Sequence, residues 1–232
     1  MEIIGGNEVV AHSRPYMALI KSTELCGGAL IKSNWVLTAA HCKIDVNSDV
    51  ILGAHSLIKP DNQQQKLKVA KVIPYPCFDY KLKIHDISLI QLNRPAKLYK
   101  NVSLLPLPKT DEDVKPGTVC SVAGWGVTNS KDLKPSQVLR EANIIVTDRN
   151  KCEKIYMKLK ERTPITISML CAGPDKKRKG DACQGDSGGP LICGGMYKGI
   201  VSFGNKCNKI PGVYTRLTKN YLKWIQETIG GD

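Results

Sequence analysis

Ser187 sits in Gly180-Asp181-Ala182-Cys183-Gln184-Gly185-Asp186-Ser187-Gly188-Gly189-Pro190, the stretch of this 232-residue chain best suited to present a reactive hydroxyl. A serine hydroxyl is a poor nucleophile at neutral pH, so it needs a base beside it, amide donors behind it and a tight loop around it. Gly185, Gly188 and Gly189 allow backbone conformations that a β-carbon forbids, and Gly185 lets its N–H approach a substrate carbonyl. On its own, a Gly/Asp/Ser-rich run is a surface turn. Two upstream blocks change that reading: Leu37-Thr38-Ala39-Ala40-His41-Cys42 supplies an imidazole, and Asp86-Ile87-Ser88-Leu89-Ile90-Gln91-Leu92 supplies a carboxylate. An imidazole can take and return a proton near neutrality, and a carboxylate can fix its tautomer and stabilise the imidazolium. The other histidines, His12, His55 and His85, lack such a context and receive no catalytic role.

The order His, Asp, Ser matches the chymotrypsin arrangement and differs from those of subtilisin and the α/β-hydrolases. With Ile3-Ile4-Gly5-Gly6, Gly124-Trp125-Gly126, Ser202-Phe203-Gly204 and Pro211-Gly212-Val213-Tyr214 in sequence and spacing, the chain resembles the chymotrypsin-like serine proteases over essentially its whole length. The resemblance implies His41 as general base, Asp86 as its orienting carboxylate and Ser187 as nucleophile, with the N–H groups of Gly185 and Ser187 as oxyanion donors. It also implies a substrate cleft formed by Asp181, Ala182, Gln184, Ser202, Phe203, Gly204 and Gly212. Asp181, six residues before Ser187, occupies the floor position that gives trypsin-like relatives their preference for Arg and Lys. Ala182 offers no hydroxyl to an ammonium, which favours Arg. In active relatives the freed ammonium of the first isoleucine, here Ile3, pairs with the aspartate before the nucleophile, here Asp186. Met1-Glu2 precede Ile3, so the expectation is a zymogen carrying a residual propeptide or an added start, activated by a dipeptidyl peptidase. No cofactor or metal is expected.

Nine cysteines suit an oxidising compartment, and no pair of CxxC elements offers a zinc site instead. Spacing alone leaves the pairing open. The resemblance implies Cys26 with Cys42, Cys120 with Cys193, Cys152 with Cys171 and Cys183 with Cys207, leaving Cys77 over. Leu52-Gly53-Ala54-His55-Ser56 and the isoleucine start also look like the granzyme A and K tryptases, and Pro74-Tyr75-Pro76-Cys77-Phe78-Asp79 resembles granzyme A, which Cys77 favours. The group resemblance implies storage in a cytotoxic secretory granule, and the extra cysteine implies a homodimer linked through Cys77. The GDSGGP ending is nearer to granzyme K and the trypsins.

A net charge of +13, from 34 basic and 21 acidic residues, attracts polyanions, and an acidic glycosaminoglycan suits it better than nucleic acid, for which no recognition module is present. Lys176-Lys177-Arg178-Lys179 is either part of such a surface or a solvated loop. No apolar run approaches the roughly 18 residues that span a bilayer. There is no charged-then-apolar leader, so a secreted form has already lost it. Asn101-Val102-Ser103 is a glycosylation sequon, usable where exposed. Two other classes compete with a protease: a catalytically silent binding protein on the same fold, against which the complete triad counts, and a protein whose basic surface carries the main role.

The elements that must position these groups read as an all-β pair of antiparallel barrels with a C-terminal helix. Short runs at Gly28–Ile31, Trp35–Thr38, Val50–Gly53 and Leu67–Ile73, separated by turn residues, predict a barrel within residues 3–107. The polar, proline-bearing Pro106–Gly117 reads as a linker. Val119–Ala123, Asn143–Val146 and Gly199–Ser202 predict a second barrel within residues 108–232. Leu217, Tyr221, Trp224, Ile225 and Thr228 fall at helical intervals around a Thr218 cap.

Overall fold

The computed structural model describes residues 6–59, 61–129, 132–174, 186–205 and 209–230. Six antiparallel strands close the first barrel: β2 (Met17–Lys21), β3 (Leu25–Lys32), β4 (Trp35–Thr38), β5 (Asp49–Leu52), β6 (Gln65–Pro74) and β7 (Ser88–Leu92), in the order β2-β3-β4-β7-β6-β5. Pairing of β2 with β5 completes the ring. The second barrel contains β8 (Val119–Gly124), β11 (Arg140–Thr147), β12 (Met169–Gly173), β13 (Pro190–Cys193), β14 (Met196–Phe203) and β15 (Gly212–Arg216), and closes where β8 pairs with β11. A two-residue strand β1 (Asn7–Glu8) joins the edge of β11, and β9 (Val127–Asn129) with β10 (Asp132–Pro135) forms a separate hairpin.

Burial follows from how many faces each strand covers. β5 and β11 alternate, with Val50 and Leu52, or Ala142, Ile144 and Val146, turned inward as half-buried strands require. β2 is different, because Met17, Ala18, Leu19 and Ile20 are all buried. Ala18 and Ile20 point into the first barrel, whereas Met17 and Leu19 pack with Ala123, Trp125 and Leu139 of the second. One strand therefore lines the first barrel with one face and a separate apolar cluster between the two halves with the other. Three expected disulfides are present, Cys26–Cys42, Cys120–Cys193 and Cys152–Cys171. The Cys183–Cys207 pairing lies outside the described residues.

The expected terminal helix is α2 (Lys219–Ile229), with Thr218 at its N-cap and Tyr221 and Ile225 buried. It seals the first barrel, although it follows the second in sequence. The linker makes no strand, but it is held down: Lys198 Nζ donates to Glu112 O, Arg216 to Asp111 O, and Arg149 to Asp113 Oδ2. Sequence reading missed the helix α1 (Arg149–Tyr156). Its signals are the Asp148 cap, which accepts from Lys151 N at 2.9 Å, and the buried pair Cys152 and Tyr156 four residues apart. Replacing Asp148 with Ala should cost about 1 kcal/mol of stability in urea unfolding and leave turnover unchanged.

Candidate active site

Register fixes the first two groups. Thr38, the last residue of β4, pairs with Ser88, the first of β7, so the chain leaving β4 and the chain entering β7 meet at one end of the barrel. His41 follows three residues after Thr38, and Asp86 precedes Ser88 by two. Asp86 is fully buried. Its Oδ1 accepts the His41 backbone N–H at 2.8 Å, and its Oδ2 lies 2.7 Å from His41 Nδ1. An ionised carboxylate only accepts, so this geometry puts a proton on Nδ1 and leaves Nε2 open to take another. The apolar strand behind it, with Ile87, Leu89 and Ile90 all buried, excludes water from the carboxylate.

Ser202, assigned to the substrate cleft from sequence, turns its hydroxyl to Asp86 Oδ2. Thr215 Oγ1 donates to the Asp86 carbonyl at 2.8 Å. Both come from the second barrel, on β14 and β15, so the carboxylate is held by both halves. Phe203 lies opposite Val213 in the β14–β15 pairing, which places Gly204 beside Gly212 at the strand ends. Phe203 packs edge-on to Tyr156, with ring centroids 5.7 Å apart.

Ser187 precedes β13. Its carbonyl accepts the Gly27 N–H of β3 at 2.7 Å, and the Cys42 sulfur lies 3.8 Å from the same oxygen. The residue after His41 thus touches the backbone of the serine. Among the described residues no hydrogen bond joins the Ser187 hydroxyl to the His41 ring. Gly188 explains the loop's composition: its φ is +84°, and an added β-carbon would fall 2.1 Å from Thr38 Oγ1 and 2.4 Å from Gly27 O. No side chain fits there. Its N–H donates to Val201 O and that of Gly189 to Asp186 O, both at 2.9 Å.

The Gly124-Trp125-Gly126 block has a matching reason. Asp186 is fully buried, its Oδ1 accepts Gly126 N–H at 2.9 Å, and a β-carbon on Gly124 would lie 2.0 Å from that oxygen. Trp125 is buried beside it, with its indole N–H donated to His55 O. Ile3, Asp181, Ala182, Gln184, Gly185 and the basic run 176–179 lie outside the described residues. Asn101 is buried, and its side-chain amide donates to Gln63 Oε1 at 3.1 Å, so a glycan there requires that bond to open. Cys77 is exposed, in a left-handed backbone at φ +66°. Lys83 stacks on the Tyr80 ring at 3.5 Å, and burial holds its ammonium below the usual range against the pull of Asp86. Among the described residues no cluster of three metal-ligating side chains occurs, and no helix is long and apolar enough to cross a membrane.

The family model described as Trypsin matches residues 3–225. The chain belongs to the trypsin family. It is a trypsin-like serine endopeptidase, a hydrolase of peptide bonds. Among its relatives, granzyme A of Bos taurus is 50% identical over 231 residues, which covers 99% of this chain and 88% of the relative. Mast cell protease 3 of Ovis aries is 42% identical, covering 98% and 89% of the two chains. Granzyme F of Mus musculus is also 42% identical, covering 98% and 91%.

Sequence reading named His41, Asp86 and Ser187, of which the structure joins the first two by hydrogen bonds, and it missed the Ser202 hydroxyl and Thr215 as partners of Asp86. Thr215 had one signal, its place on a strand that also carries Gly212. Gly188→Ala should cost at least about 1 kcal/mol from the left-handed backbone alone, and more once the loop shifts to relieve the overlap. Thermal unfolding and turnover, read together, should both fall.

Proposed function

We propose that this trypsin-family protease cleaves after Arg, and after Lys, through an acyl-enzyme formed on Ser187. The observation that supports it best is the two-point bond between Asp86 and His41, made at the barrel end where Gly27 holds the serine backbone. In this reading the Ser187 oxygen bonds to the scissile carbonyl carbon while its proton passes to His41 Nε2. The N–H groups of Gly185 and Ser187 receive the oxyanion, and Asp86 stabilises the imidazolium. His41 then protonates the departing amine. Water, deprotonated by the same imidazole, releases the acid and restores the hydroxyl.

Asp181 is assigned to the floor of the specificity pocket, where a carboxylate pairs with a guanidinium in bidentate fashion. Ala182, Gln184, Ser202, Phe203, Gly204 and Gly212 are assigned to its walls, and the adjacency of Gly204 and Gly212 favours an open mouth. Lys83 disfavours basic groups in the neighbouring subsite.

The chain as written is assigned to a zymogen, with Ile3 freed by a dipeptidyl peptidase to pair with the buried Asp186. The exposed Cys77 thiol suits a disulfide-linked homodimer, and the granzyme relatives suit storage in a secretory granule. An acidic proteoglycan is the proposed partner of the basic surface, where Lys66 and Lys68 both pair with Asp49, at 2.9 and 2.8 Å, and Lys21 lies opposite it in the strand register, so cations outnumber the carboxylate. Binding to heparin that weakens steeply with salt supports that partner, and weak salt dependence counts against it.

Ser187→Ala should bind substrate and lose nearly all turnover; retained turnover removes Ser187 as nucleophile. Asp181→Ser should abolish cleavage after Arg in a peptide library, and intact cleavage refutes the pocket. Amidase activity should rise when Met1 and Glu2 are trimmed, and equal activity before and after excludes the zymogen. Non-reducing electrophoresis should show a dimer that Cys77→Ser converts to monomer.

A further inference from the structure

We propose that the hydrogen bond between His85 and Tyr221 is a positioning device for Asp86, tying the backbone of that aspartate to the C-terminal helix. The inference rests on the reading of Asp86 as the carboxylate that orients His41. It concerns a residue to which the sequence alone gave no role.

His85 immediately precedes Asp86 and has φ +59°, a left-handed conformation that a residue with a β-carbon adopts only when its surroundings hold it. The hold is visible on the side chain. His85 Nδ1 lies 2.8 Å from the Tyr221 hydroxyl, which is carried on α2 and nearly fully buried. The imidazole also packs against Tyr75, with ring centroids 5.3 Å apart, and Tyr75 meets both Tyr221 and Trp224 edge-on at 4.8 and 5.1 Å. Burial pushes the Tyr221 phenol up from its ordinary range, so it stays a neutral donor. Asp111, Arg216 and Lys219 are the charged groups that share with His85 and Tyr221 the border of an adjoining cavity of about 340 Å³.

The backbone transmits this hold to the carboxylate. The His85 carbonyl accepts the Ile87 N–H at 2.8 Å, closing a three-residue turn with Asp86 at its centre. The Ile87 carbonyl accepts the Tyr75 N–H at 2.9 Å, and the Asp86 carbonyl accepts Thr215 Oγ1 at 2.8 Å. His85 is the residue of this turn whose conformation depends on a side-chain bond. If it relaxes from the left-handed region, the Cα–Cβ direction of Asp86 rotates. A carboxylate meeting His41 at two points, 2.7 and 2.8 Å, then loses at least one of them.

The test uses the active enzyme and any peptide amide it turns over, with Tyr221→Phe, His85→Ala and His85→Asn beside wild type. Tyr221→Phe and His85→Ala should each lower kcat by about three- to tenfold, the range of one hydrogen bond, with KM within twofold of wild type. The acid limb of the kcat/KM profile should move to lower pH, because a misaligned carboxylate stabilises the imidazolium less. His85→Asn should recover most of the kcat lost in His85→Ala, since Asn tolerates the left-handed backbone. The double variant His85→Ala/Tyr221→Phe should be no slower than His85→Ala, as expected of two residues acting through one bond. A lower melting temperature with kcat and the acid limb unchanged would make the bond structural only and overturn the proposal. Should Tyr221→Phe fail to fold, equal kcat in His85→Ala and His85→Asn overturns it. Asp86→Asn separates the two ideas: it should lose on the order of 10⁴-fold in kcat, and retained activity there defeats the reading of Asp86 itself, whatever the His85 variants do.

Discussion

A carboxylate withdrawn from water must be surrounded by donors, and Asp86 is the place where that requirement is most severe. An unpaired charge at such a position would be expelled or neutralised. Here the His41 backbone and ring and the Ser202 hydroxyl converge on its two oxygens, while Thr215 takes its carbonyl. These donors come from both barrels. The way the barrels sit against each other is therefore tied to the solvation of a single acid.

The loop around Ser187 is constrained from the opposite direction, by the absence of room. Gly188 sits where Thr38 and Gly27 of the first barrel leave no space for a β-carbon, and Ser187 is bonded through its carbonyl to Gly27. Thr38 belongs to the strand that leads to His41, and its hydroxyl also donates to Gly27 O at 2.7 Å. One residue thus borders the serine loop and begins the turn that carries the imidazole. Positional accuracy of this kind is what proton transfer and nucleophilic attack require, because small displacements are expensive in rate.

Much of this was legible along the chain because it is local. A strand followed by Ala39-Ala40-His41-Cys42, an aspartate heading an apolar strand and a glycine-flanked serine each announce themselves within about ten residues. The alternation in β5 and β11 and the Thr218 cap were readable for the same reason. What stayed hidden depends on partners far off in sequence. Ser202 and Asp86 are separated by 116 positions, and His85 and Tyr221 by 136. Nothing in Ser202-Phe203-Gly204 says that the hydroxyl turns inward. The run Met17–Ile20 reads as an ordinary apolar strand, and its burial on both faces appears only when two barrels share it. The helix α1 escaped because its eight residues carry only two buried positions.

The placement of α2 bears on how the molecule comes into being. The first barrel is drawn from the earlier half of the sequence, yet Leu217, Tyr221 and Ile225, which complete its core, follow the whole of the second barrel. Until that segment is made the barrel lacks a wall, and until β14 and β15 are made the acid within it lacks two of its donors. A chain that stops short of that segment is therefore left with an open barrel, so the first half cannot finish folding ahead of the second.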